Sequence, residues 1–290
     1  MLAIRGKDLN GSGKSEMKNK YPSIRDIREA HAWKRDYEKY LPVSRFLFRP
    51  VGFLGTWVAV RIGLTTEAVS WLSGFVGLSG CLFLAIGHAN QLPFGIALLL
   101  IFNLLDCVDG SIARTMQSGN PYGIFLDSIC GSIVDLIFWG IIGVMAFRHP
   151  DLLLFSDIFG YGPIYWLILG VSASYLCTYL NFVEKVFDDV LRKDFDRVQS
   201  YGSESPPLTQ INKKRVFPSS SPLNRKTILT IIAANLRARE TFYLFLVVAY
   251  ISKTVDLLLL FYFVFYLFHI LLLIITYAKR GISIKKILYS

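Results

Sequence analysis

The chain is poor in the groups from which soluble enzymes usually assemble a site. It has four histidines and four cysteines in 290 residues. Cys81, Cys107, Cys130 and Cys177 all lie in apolar segments, and no two form a CxxC pair. That pattern excludes a disulfide framework or a thiolate metal cluster and points to buried, reduced thiols. The Lys213-Lys214-Arg215 cluster has neither interleaved aromatics nor a binding motif around it, which argues against a nucleic-acid partner. The first twenty residues lack an apolar stretch followed by a small-residue cleavage site, so no secretory signal peptide is expected.

Apolar residues are what the chain has in abundance. They make up 53% of it and raise the mean hydropathy to +0.45, too high for a soluble domain of this size. The expectation is an all-α, polytopic integral membrane protein. Runs long enough to span a bilayer cover Ala68 to Gly87, Leu92 to Met116, Tyr122 to Phe147, Ile164 to Val186, Ile228 to Ile251 and Val255 to Ala278, which makes about six helices. Gly74, Gly77 and Gly80, spaced by threes in the first run, would let a neighbouring helix approach closely.

Residues 1–64 read as a cytosolic or interfacial segment, and 65–290 as the transmembrane domain. Within the first, 1–20 are polar and expected to be disordered, Ile24 to Tyr40 mixes charge with interfacial aromatics, and His31 reads as a surface residue. Pro42 to Leu64 is apolar but interrupted by Arg45, Arg49 and Arg61, and reads as a juxtamembrane amphipathic helix. The loop 188–226, rich in Pro and Ser, reads as a flexible cytosolic linker with affinity for anionic lipid headgroups. Lys and Arg concentrate in the amino-terminal region, in this loop and in the tail, so the positive-inside rule puts both termini in the cytosol.

Against that background the stretch from Asn103 to Asp135 is anomalous. Asp106 and Asp109 are three residues apart in an apolar helix, on one face and about 4.5 Å apart along its axis. Asp127 lies in the next apolar run. Each aspartate at the centre of a span costs roughly 2.5–3.5 kcal/mol on insertion scales, and a shared cation would offset that. Oxygen ligands at this spacing suit Mg²⁺ or Mn²⁺ rather than zinc. Helix-end aspartates with their charge in water are the plain alternative.

The order of residues goes further than the spacing. Asp106, two residues, Asp109-Gly110, two residues, Ala113-Arg114, eight residues, Gly123, three residues and Asp127 resemble the signature of the CDP-alcohol phosphatidyltransferase family. The resemblance implies a CDP-linked donor (CDP-diacylglycerol or another CDP-alcohol), held through Mg²⁺ or Mn²⁺ on Asp106, Asp109 and Asp127. An alcohol would attack the phosphorus nearest the transferred group and release CMP. Asp109 and Asp127 would be the catalytic carboxylates. Gly110, Ala113 and Gly123 would leave room for cytidine or phosphate against the backbone, and Arg114 would supply a cationic fork. Family members commonly form homodimers, and membrane lipids are the surrounding partners. Where they usually carry Leu-Thr-Pro-Asn before the first span, this chain has Leu64, Thr65, Thr66 and Glu67.

The pattern then breaks. The family's fourth aspartate, a metal ligand or general base, corresponds here to Gly131, and Asp135 lies one further turn on, about 6 Å along the axis. Three readings stay open. Three carboxylates and water suffice for an acceptor that needs little deprotonation; or a π-bulge recruits Asp135; or the chain is a degenerate member that binds without turning over. An intramembrane prenyltransferase of the UbiA type is a further alternative, but it needs about nine spans and a second aspartate-rich motif. In the fifth run, Arg237 or Arg239 would hold a substrate phosphate, or else pair with Glu240. His269, on an apolar background, reads as a packing residue.

Overall fold

The structure is a computed structural model and describes residues 21–32, 38–156, 162–192 and 225–289. The expectations for residues 1–20 and for most of the loop 188–226 fall outside these residues.

The described chain is helical and without strands. α1 (Ile24–Ala30) is closed at its start by a capping box between Ser23 and Asp26, and ends at His31. A π-type turn, Ser44–Phe48, leads into α2 (Arg49–Arg61). Then come α3 (Thr66–Ile86), α4 (Leu92–Thr115), α5 (Pro121–Arg148), α6 (Ile164–Phe187), α7 (Arg225–Arg237), α8 (Arg239–Ser252) and α9 (Val255–Tyr289). Five of them, α3, α4, α5, α6 and α9, are long and apolar enough to cross a membrane, as an integral membrane protein requires.

The expected sixth span, Ile228 to Ile251, is not one helix. Ala238 is extended (φ −73°, ψ 130°) and divides it into α7 and α8. No proline or glycine marks the break. Two guanidinium groups at 237 and 239 must each find a carboxylate in an apolar setting, and the break lets them reach different ones. The Leu236 carbonyl, left without a helical donor, accepts from the Tyr262 hydroxyl at 3.2 Å.

Caps and small residues set the packing around the site. Thr65 caps α3 by accepting from the Ala68 N–H, and Asn120 caps α5 by accepting from the Gly123 N–H at 2.7 Å. Asn120 also donates to Glu67 at 2.8 Å, tying the start of α3 to the α4–α5 turn. The Gly74, Gly77 and Gly80 stripe packs α3 closely on α4 and α5, as the spacing predicts; a Cβ on Gly77 would meet Val134 at 2.8 Å and Phe102 at 2.9 Å. α2 departs from a simple interfacial helix: its Gly52, Thr56 and Ala59 face packs on α4, while Leu54 and Val58 point outward. An aromatic core of Phe138, Trp139, Phe242, Tyr243, Tyr262 and Tyr266 holds α5, α8 and α9 together. The Trp139 indole donates to the Tyr266 hydroxyl at 3.2 Å, so no polar ring atom of this pair is stranded.

Candidate active site

Asp109 is buried on α4, and its carboxylate is held from two sides. Ser70 of α3 donates to Oδ2 at 2.8 Å, and the Gly110 backbone N–H meets Oδ1. Ser70 sits where an ordinary small helix residue would, and nothing in the local sequence marks it. Asp106 lies one turn earlier, and Asp127, on α5, stands beside both. The sequence places these carboxylates on two helices; the α4–α5 turn folds them together.

A cavity of about 260 Å³ opens next to Asp109 and Asp127. Gly110, Ala113, Arg114 and Gly123 form its wall, with Thr66 and Asn120 at the turn. Every motif residue on that wall therefore faces one space. Asp106 is turned away from it, toward Arg239.

Arg114 is held in a way the sequence conceals. Its Nε–H donates to His31 Nε2 at 3.0 Å, and its guanidinium lies over Gly110, where a Cβ would meet Nη2 at 3.0 Å. His31 is buried, not on the surface as its charged neighbourhood suggests. α1 carries it down onto α4, where it also meets Ser111 and lies edge-on to Phe53. Its Nδ1 faces the Ile27 carbonyl at 3.3 Å. A carbonyl only accepts, so Nδ1 carries the proton and Nε2 is free to receive the arginine.

The fourth-aspartate position is occupied in space by another residue. A Cβ on Gly131 would lie 2.5 Å from Arg239 Nη2. From there the Arg239 guanidinium reaches Asp106 Oδ1 at 2.8 Å through Nη1, and both Asp135 oxygens at 2.9–3.1 Å through Nε and Nη2. It also lies 5.4 Å from the centre of the Phe102 ring. α5 is regular throughout, so no π-bulge recruits Asp135; the arginine links it to the cluster instead. Arg237 pairs with Glu184 at 2.7 Å and with Asn181, so neither arginine is bound by Glu240. Both line a second cavity of about 160 Å³ with Asp135 and Tyr266.

The donor set of Asp106, Asp109 and Asp127 is all carboxylate oxygen and fits a hard divalent cation in kind. Among the described residues no three acidic, histidine or cysteine side chains are already drawn into a closed metal cage. Asp106 turns instead to the Arg239 guanidinium.

Fold and site together define a polytopic helical membrane protein with an acidic, glycine-walled cavity between its second and third long helices. Residues 64–194 match the model of the CDP-alcohol phosphatidyltransferase family. The match includes the whole pattern from Asp106 to Asp127, and also Gly131 and Asp135. The chain is similar to the phosphatidylinositol phosphate synthase of Mycobacterium marinum, 34% identical over 96 residues, 33% of this chain and 40% of that protein. It is similar also to the protein of the same name from Mycobacterium tuberculosis, 32% identical over 93 residues, 32% and 42% of the two chains. The chain thus spans about two fifths of the length of the curated relatives it matches. Arg237 and Arg239 lie beyond the family match.

Proposed function

We propose that this protein transfers a phosphatidyl or related phospho-alcohol group from a CDP-linked donor to a hydroxyl of an acceptor, with release of CMP, in the synthesis of a phospholipid or related polar lipid. The observation that carries this reading is the single cavity onto which Asp109, Gly110, Ala113, Arg114, Gly123 and Asp127 all converge.

Asp106, Asp109 and Asp127 would hold Mg²⁺ or Mn²⁺. Bound there, the ion would neutralise the donor pyrophosphate and stabilise the charge that develops as the phosphoryl group moves. The protein does the rest by positioning. Ser70 and the Gly110 N–H fix the Asp109 carboxylate. Gly110, Ala113 and Gly123 let the nucleotide lie against the helices, and Arg114, anchored on His31, keeps N–H groups to spare for a phosphate oxygen. The acceptor oxygen bonds to the phosphorus nearest the transferred group while the bond from that phosphorus to the CMP oxygen breaks. The hydroxyl proton passes to Asp127, the aspartate exposed beside the cavity.

The relatives' name speaks for an acceptor that carries its own phosphate. Arg237, on the second cavity with Asn181, is the cation placed to meet one. The carboxylates sit at the α4–α5 end of the bundle, and the positive-inside rule puts that end and both termini in the cytosol. A second reading, a nucleotide- or lipid-binding membrane protein without turnover, is favoured by Arg239 lying on Asp106.

The experiment that separates them is CMP release by the purified protein in detergent with Mg²⁺ or Mn²⁺, CDP-diacylglycerol and a panel of free and phosphorylated alcohols. Release that depends on an acceptor and disappears in Asp109→Ala supports the transferase. Tight CDP-diacylglycerol binding without release under every acceptor supports the binder.

A further inference from the structure

The missing carboxylate at Gly131 and the half-buried arginine at 239 are two halves of one arrangement. A Cβ at 131 would come within 2.5 Å of Arg239 Nη2, so a side chain there would require the guanidinium to leave its present place. The guanidinium stands where the fourth side chain would project, and it bonds to Asp106, a carboxylate of the motif. Asp135 clamps it from the other side through two of its nitrogens. The break at Ala238 brings it in from a helix 108 positions along the chain from Gly131.

We infer that Arg239 is a permanent cation standing in for one of two metal ions, so that the site takes a single divalent ion where a four-aspartate site would take a pair. This inference rests on the reading of the cavity as a metal-dependent site, and it deepens that reading by assigning how charge is divided there. Three features carry it. A second ion would need further oxygen ligands, and glycine at 131 offers no side-chain oxygen. The charge it would neutralise on Asp106 is already met by a guanidinium at hydrogen-bonding distance. An arginine stays charged at any pH at which the protein is folded and does not dissociate, so this half of the site is filled without metal. Among the described residues no guanidinium is hydrogen-bonded to Asp109 or Asp127, which remain for the exchangeable ion, with Asp106 shared between ion and arginine.

The test is the stoichiometry of Mn²⁺ binding to the protein in detergent, followed by calorimetry and by the electron paramagnetic resonance of the bound ion. The wild type is expected to bind one Mn²⁺ with an uncoupled spectrum, and Asp109→Ala none. The double variant Gly131→Asp, Arg239→Ala is expected to bind two, with the dipolar coupling of ions about 3.5–4 Å apart. Two coupled ions in the wild type, or none, overturn the inference, and so does a folded double variant that still binds one. Should the double variant not fold, the wild-type stoichiometry decides alone. The assay is separate from turnover. One ion without CMP release under any acceptor would contradict the transferase and leave the arginine's role standing; two ions with CMP release would do the reverse.

Discussion

The two cavities around the acidic cluster are made from opposite materials. The larger is walled by glycine, alanine and carboxylate from two consecutive helices, with Arg114, tied to His31, at its side. The smaller is lined by Arg237 and Arg239, each already paired with a carboxylate, together with bulky aromatic residues. One side has negative charge and space to accept a ligand; the other is internally neutralised. Binding a polyanionic donor therefore belongs to the first side through a cation, while the second holds the bundle's charges in register and would meet an acceptor phosphate at Arg237 only in exchange for its Glu184 partner.

That contrast can be broken one residue at a time. The largest effect is expected from Asp109→Ala, which removes a carboxylate from the open side and should lower CMP release roughly 10³-fold or more, in line with the several kcal/mol that a bound metal supplies to such a transition state. Ligand-free thermal stability should change little by comparison. Arg239→Ala should do the converse. It strands Asp135 and Asp106, and breaking a partly buried ion pair of this kind should cost about 3 kcal/mol, read as a lowered midpoint in detergent melts. Arg239→Lys should recover little of that, because an ammonium cannot bridge two carboxylates with a planar fork.

Smaller effects sharpen the division. His31→Ala frees Arg114 from its anchor, and the expected signature is a rise of about tenfold in KM for the CDP donor, the equivalent of one charge-assisted hydrogen bond, with kcat less affected. His31→Gln, which restores an acceptor, should recover part of it. Ser70→Ala removes one hydrogen bond from Asp109 and should cost about 1 kcal/mol, a several-fold loss in kcat/KM. An Arg239→Ala effect on donor KM larger than that of His31→Ala would blur the distinction between the two sides.

What was legible in the sequence follows the same line. Asp106, Asp109, Gly110, Ala113, Arg114, Gly123 and Asp127 fall within twenty-two consecutive residues on two helices joined by a short turn, so their order alone brought them together. The five long helices were likewise plain from hydropathy. What escaped depends on distant parts of the chain meeting. Ser70 looks like any small residue in a span. His31 sits among charges that imply exposure, and only the docking of α1 on α4 buries it. Arg239 was visible as an intramembrane charge, but its partners were not. They lie 133 and 104 residues earlier in the chain. The helix break that lets it reach them falls at an alanine, with no proline or glycine to announce it.

The most direct measurement is CMP release from CDP-diacylglycerol by purified wild-type protein and Asp109→Ala, with Mg²⁺ or Mn²⁺ and a panel of phosphorylated and free alcohols. The account predicts acceptor-dependent release in the wild type that EDTA stops, and none above background in the variant. Equal release in both would contradict the assignment of the glycine-walled cavity as the reaction site.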